Sequence, residues 1–261
     1  VEQYFARDAL LPEGWAKDVL FAVENGDIVS VERGASALSP LAGPVLPGMA
    51  NLHSHAFQRA MAGLTEMRGA PEDDFWSWRE LMYRFAGALT PDQAQVVAHF
   101  LYVELLRHGY TAVAEFHYVH RPDGMLQAHL DAARDSGIAI TLMPSVYRWS
   151  NFGEQPLEER QRPFSRDTDA VLKAYEGLQS RASADVRFGV APHSLRAVDP
   201  SSLKALVAGL PAEAPIHIHA AEQTREVEQC VAALGARPVQ WLLDNMPLDR
   251  RWCVVHATHL A

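Results

Sequence analysis

Val45-Leu-Pro-Gly-Met-Ala-Asn-Leu-His53-Ser-His55-Ala-Phe-Gln58-Arg59 is the stretch on which the reading of the fold turns. Its short apolar run, bounded by Pro and Gly, reads as a buried strand that ends in His-x-His. Residues i and i+2 of a strand project to the same side, so His53 and His55 point together. Two imidazoles at that spacing can close on one divalent ion, and zinc takes nitrogen ligands of this kind. Alone, the pair reads better as a polar corner where strand becomes loop. The rest of the chain reverses that balance.

Upstream, residues 1–47 read as a small β subdomain. Asp18-Val-Leu-Phe-Ala-Val-Glu and Asp27-Ile-Val-Ser-Val-Glu are β-rich runs joined through Asn25-Gly26, a strong hairpin signal. Alternation of Ile28, Ser30 and Glu32 with Val29 and Val31 predicts one wet face. From residue 48 the rhythm changes to apolar runs separated by helical segments. The runs are Thr111–Tyr118, Ile138–Val146, Val186–His193, Ala214–His219 and Arg251–His259. Thr90 and Pro91 open the helix before the first of these, and Gly109 follows it. Such alternation predicts parallel strands with crossover helices. Polar candidates recur where the runs end: His53/His55, Glu115/His117/Tyr118, His193, His219 and His256. Convergence of many strand ends suits a (β/α)8 barrel better than an open sheet, and no Gly-rich phosphate loop is present. Six of eight barrel strands are countable over 48–261, so the chain is expected to stop short of a complete barrel.

Composition narrows the partners. The 261 residues carry a net charge of −9, which disfavours a non-specific nucleic-acid surface. Two cysteines, Cys230 and Cys253, cannot build a disulfide framework and suit a reducing compartment. No apolar stretch reaches membrane-spanning length, and the N-terminus lacks the apolar core of a signal peptide. A cytoplasmic protein is the expectation.

His217-Ile-His219-Ala-Ala-Glu222 is the second anchor. Either histidine could bind a metal, and a carboxylate nearby can move a proton without being a ligand. Glu222 could equally be the first-turn carboxylate of the helix starting near Thr224. His256 closes the last run. Together these residues resemble the amidohydrolase superfamily. The stretches LPGMANLHSHAFQRAMAGLTE, AEFHYVH, APHSLRAV, HIHAAEQTREVEQC and VVHATHL are similar to its N-formimino-L-glutamate deiminase branch, essentially end to end.

The resemblance implies hydrolytic deimination of N-formimino-L-glutamate to N-formyl-L-glutamate and ammonia in histidine degradation. It implies one Zn²⁺ held by His53, His55 and His219, with an Asp beyond this chain completing the set. Glu222 would carry the proton and His256 would orient the water. Gln58, Tyr118, His193 and Arg196 would hold the glutamate portion, with Arg79 a further contributor. The expected partner is thus a small acidic amino-acid derivative, with a homodimer left open. A purine or pyrimidine deaminase is the rival enzyme reading, and Arg196 favours the acidic substrate over it. An inactive metal-binding or interaction protein is the rival outside enzymes. The bland readings fall on Phe75, Trp76 and Trp78, as packing in a loop over the barrel mouth. They fall also on Glu158–Arg162, as solvated surface, and on His99, His108 and His129, as structural histidines.

Overall fold

The computed structural model describes residues 1–35, 39–66, 69 and 74–260, apart from the side chains of Phe75 and Trp76. The chain forms two compact units, Val1–Met49 and Ala50–Ala261. In the first, β1 (Glu2–Leu11), β2 (Gly14–Glu24) and β3 (Asp27–Arg33) make an antiparallel sheet in chain order. Asn25 and Gly26 both take positive φ at the β2–β3 turn, as a tight hairpin with right-handed strand twist requires. Ala6, Ala9, Val19 and Phe21 form its small core, packed by Val45. The sheet departs from the expected single wet face. Every residue of β3 is exposed, Val29 and Val31 included, because the buried side chains come from β1 and β2 alone.

Among the described residues, the second unit holds six strand positions. They are β4 (Met49–Ser54), β5 (Tyr110–His117), β6 (Ala139–Val146), a divided position of β7 (Val186–Phe188) and β8 (Ala191–Pro192), β9 (Ile216–Ala220) and β10 (Trp252–His256). The order β4-β5-β6-β7 is one sheet, with β8 also on β6, and β9 pairs β10. Pairings from β5 onward are parallel. Val190 and Ser194 bridge to Ile216 and His219, so β9 follows β8 in the same sequence. Helices fill the intervals: α1 (Phe75–Ala88) and α2 (Pro91–Arg107), then α3 (Met125–Ser136), α4 (Thr168–Leu178), α5 (Pro200–Ala208), and finally α6 (Thr224–Leu234) with α7 (Pro238–Asn245). This is part of a (β/α) barrel.

Local chemistry fixes these elements. Thr90 accepts from Gln93 N while Gln93 closes the reciprocal bond, a capping box that starts α2. Asp167 and Asp199 cap α4 and α5 with their carboxylates, which accept from Ala170 N and Ser202 N. Apolar faces then bury against the strands, with Tyr102, Leu142, Leu203, Leu206, Ile216 and Ile218 almost fully enclosed. The residues 75–88 form a helix rather than the expected loop, and the reading of Phe75 and Trp76 as packing lies outside the described side chains.

The fourth run breaks at Gly189. A Cβ there would lie 2.5 Å from the Pro215 carbonyl oxygen and 3.1 Å from Met143 Cγ. The backbone approach lets Val190 N donate to Pro215 O at 2.9 Å, bringing β9 alongside. Gly189→Ala is expected to cost about 1–3 kcal/mol through overpacking. Denaturant melts of the full-length protein would show it, and an unchanged midpoint would contradict the close approach.

Candidate active site

The parity of β4 and β9 sends His53, His55 and His219 to one place. Their Nε2 atoms stand 3.1 Å (53–55), 3.2 Å (55–219) and 3.4 Å (53–219) apart. His55 Nδ1 donates to the Phe116 carbonyl at 2.8 Å, and His219 Nδ1 donates to the His193 carbonyl at 3.0 Å. A carbonyl only accepts, so each ring carries its hydrogen on Nδ1 and offers a bare lone pair at Nε2. Two lone pairs 3.2 Å apart repel unless a cation lies between them. Tetrahedral zinc with ligands at about 2.0–2.1 Å spaces its nitrogens about 3.3 Å apart, which the trio matches. Burial, with the neighbouring histidines, lowers the pKa of His53 to about 4 and of His55 to about 3, and holds His219 well below the usual range. Neutral imidazoles are the metal-binding form.

A cavity of about 350 Å³ opens beside the trio. It brings all ten residues of the sequence expectation together: His53, His55, His219, Gln58, Arg79, Tyr118, His193, Arg196, Glu222 and His256. Gln58 rides on a 3-10 turn at Ala56–Met61 and donates to the Tyr118 hydroxyl at 3.1 Å. Arg59, in the same turn, pairs with Glu104 of α2 at 2.7 Å. Tyr118 packs edge-on against His55 at 4.7 Å and His193 at 5.4 Å. The Arg196 guanidinium donates to the Ser150 carbonyl at 3.2 Å, and Arg79 donates to the Tyr147 hydroxyl at 3.4 Å.

Glu222 and His256 stand on unusual backbone. His256 Nε2 lies 3.6 Å from Glu222 Oε1, and its ring stacks on His219 at 5.3 Å. Ala221, His256 and Ala257 have φ of 54°, 69° and 50°. Non-glycine residues adopt that region uncommonly and mostly where surrounding structure enforces it. Here Ala257 N donates to Ala220 O at 2.9 Å and His259 N to Ala221 O at 3.1 Å. Burial raises the pKa of Glu222 despite nearby His256. The first-turn carboxylate of α6 is Glu226, which accepts from Ala221 N at 3.2 Å and Glu222 N at 2.9 Å. Glu222 is therefore not needed as a cap and faces the cavity.

Several expectations change. Glu115 and His117 do not reach the cavity, because alternate residues of β5 face opposite sides. Phe116 and Tyr118 share the cavity side, whereas Glu115 and His117 turn toward Tyr102 and His129 on α2 and α3. His217 stands one step below His219 and lines another recess with Cys253. Trp78 lines the cavity. Sequence reading missed Tyr83 and Tyr147, although Tyr147 directly follows a strand and Tyr83 is one helical turn after Arg79. It also placed Gln161 in a solvated run. Gln161 is 2% exposed and donates to the hydroxyls of Tyr83 and Tyr147 at 3.3 and 3.2 Å.

The sequence pattern described as "Amidohydrolase family" matches residues 45–261, and "Formimidoylglutamate deiminase HutF, N-terminal domain" matches residues 3–39. The chain belongs to the amidohydrolase family. It is 48% identical to a formimidoylglutamate deiminase of Pseudomonas aeruginosa over 98% of this chain and 59% of that protein. The crystal structure of an amidohydrolase from Brucella melitensis superposes with a TM-score of 0.91 at 45% identity, covering 100% of this chain and 61% of the other. The zinc complex of atrazine chlorohydrolase TrzN from Arthrobacter aurescens TC1 shares the fold at a TM-score of 0.76 and 20% identity, over 96% of this chain and 59% of that one. The chain thus spans about three-fifths of the length of these relatives.

A metal ion held by the histidine trio would have a direct consequence. In full-length His53→Ala, metal analysis is expected to show most of the bound metal gone while circular dichroism stays native-like. A variant that keeps its full metal complement would remove His53 from the ligand set.

Proposed function

We propose that the chain carries the metal-binding half of a zinc-dependent formimidoylglutamate deiminase. It would convert N-formimino-L-glutamate and water to N-formyl-L-glutamate and ammonia, a step of histidine degradation. The observation that carries the reading is the pairing of two chemistries in one cavity. Three imidazole Nε2 atoms converge on one side, and the guanidinium groups of Arg79 and Arg196 line the same space. Arg196 enters no ion pair with a carboxylate among the described residues; it bonds Ser150 O and Tyr147, and its charge suits an anionic group in the cavity. Burial and the cations of Arg196 and Arg79 hold His193 neutral, leaving it free to donate or accept one hydrogen bond. A ring deaminase would need stacking and amide contacts in place of these cations.

The support for zinc is the nitrogen donor set, its spacing and the relative named above. His53, His55 and His219 would hold the ion, which supplies Lewis acidity toward water and the substrate. The chain's own residues supply the rest. Glu222, with its raised pKa, takes a proton from the attacking water and delivers it to the departing nitrogen. His256, 3.6 Å away, orients the water and supports the Glu222 charge. Gln58, Tyr118, Arg79 and Arg196 hold the glutamate carboxylates, so that the formimino carbon faces the proton carrier. The atoms balance: water adds across the C=N bond, and the C–N bond to the terminal nitrogen breaks to release ammonia. A small acidic amino-acid derivative is the proposed partner. The two free thiols, Cys230 and Cys253, suit the cytoplasm proposed as its compartment. No described helix is long and apolar enough to cross a membrane.

Two substitutions separate the roles. Glu222→Gln is expected to keep the metal and lose about 10²–10⁴-fold in turnover of N-formimino-L-glutamate. Wild-type turnover in that variant would end its role as proton carrier. Arg196→Met is expected to cost about 2–5 kcal/mol in kcat/KM by stranding a carboxylate, with Arg196→Lys a partial rescue. Metal content should stay constant. Unchanged kinetics of Arg196→Met on N-formimino-L-glutamate, beside guanine and adenosine as controls, would remove Arg196 from substrate binding.

A further inference from the structure

Glu115 is 1% exposed on β5, next to the strand that carries His53 and His55. Its Oε1 accepts the Ala56 N–H at 2.8 Å, and the Ser54 hydroxyl bonds to the same carboxyl. Ser54 and Ala56 are the two neighbours of His55 in the chain. The residue after Glu115, Phe116, accepts the His55 Nδ1–H with its carbonyl at 2.8 Å. Two successive residues of β5 therefore grip three successive residues at the end of β4. Behind Glu115 lie His117 and His129, with ligand atoms within 4.8 Å of it. Tyr102 closes this side, its hydroxyl 3.1 Å from His129 Nδ1, and all four residues are buried. Glu115 Oε2 and His117 Nε2 bond to nothing else described.

An acid buried this deeply is costly to keep. Its pKa rises to about 8 by burial, although Ser54 and Ala56 pull it back down. Nothing in the reaction above uses it. We propose that Glu115 is a positioning residue of the metal centre: by holding Ser54 and Ala56, it fixes the direction in which His55 presents Nε2. The inference rests on the reading of His53, His55 and His219 as ligands. Without the Ala56 bond, the strand end that carries His55 can rotate against β5, and the nitrogens at 3.1–3.4 Å lose their register. Partners behind metal ligands commonly change affinity by about 10–100-fold when removed.

The test is the dissociation constant for Zn²⁺, from competition with a chelating dye. It is measured on full-length wild type and on Glu115→Leu, Glu115→Asp and Glu115→Gln, with thermal melts of the metal-free forms. Glu115→Leu is expected to weaken zinc by about 10–100-fold while melting cooperatively. Glu115→Asp, whose carboxyl stops one methylene short of Ala56, should weaken it less. Glu115→Gln keeps an acceptor for Ala56 and should restore affinity close to wild type. Wild-type affinity in a folded Glu115→Leu overturns the inference, as it does in Glu115→Asp should the leucine variant not fold. Loss of a second metal equivalent in Glu115→Leu also overturns it, since Glu115 would then be a ligand. A wild type without zinc affinity overturns the ligand reading as well, which keeps the two failures distinct.

Discussion

Two hydrogen bonds to main-chain carbonyls set the chemistry of this molecule. Because Phe116 O and His193 O can only accept, they pin the hydrogens of His55 and His219 to Nδ1. The Nε2 lone pairs that remain are forced together at 3.2 Å. A cation between them would relieve the repulsion of that approach. The carbonyls belong to β5 and to the loop after β8, so the tautomers depend on strand register across four positions of the sheet. A slip in either pairing would turn the carbonyls away and leave ordinary buried histidines. The fold thus specifies the tautomers of His55 and His219 through the backbone, before any substrate is considered.

The cavity then divides along its length. His219 packs on His193 at 4.9 Å, His193 packs on Tyr147 at 4.7 Å, and Tyr147 receives Arg79. Aromatic and imidazole rings form a low-polarity wall between lone pairs at one end and guanidinium groups at the other. In such a medium charge interactions are stronger and reach further than in water. Burial would raise the pKa of Tyr147, but Arg196 and Arg79 outweigh it and bring the phenol down. Burial, reinforced by the same two cations, keeps His193 neutral. One electrostatic source therefore tunes two groups and, under the proposed reading, also holds the substrate.

Periodicity made much of this legible. The strand-end rule located His53, His55, His193, His219 and His256, because a residue that closes a parallel strand has few places to go but the barrel mouth. It failed on Glu115 and His117, where side-chain parity decides and the end of β5 could not be placed to one residue from sequence. Helical partners were less visible. Tyr83 and Gln161 meet Tyr147 only after α1 and the 3-10 turn at Glu159–Phe164 fold over the strands. No local pattern marks such a meeting, and Glu158–Arg162 carries enough charge to hide one buried amide. The exposed apolar residues of β3 are a further example, since alternation states which residues share a face and not what covers it.

Glu222 shows how a local conflict can mark function. Its position three residues after His219 and two before Thr224 suits a helix cap as well as it suits a proton carrier. The structure resolves the competition through Glu226, which reaches back from the first turn of α6 and takes the N–H groups of Ala221 and Glu222. With the backbone donors satisfied by another carboxylate, Glu222 is released toward His256. The left-handed turn at Ala221 makes this possible, since an extended residue there would carry the chain straight on from β9. A second left-handed pair, His256 and Ala257, does the same after β10, and hydrogen bonds from Ala257 and His259 tie the two turns together. Strained backbone at adjacent strand ends is held by bonds between those ends, so that neither turn relaxes without the other. Glu222 and His256 are positioned as a unit by β9 and β10, apart from the bonds of Glu115 and Phe116 that hold the His55 segment.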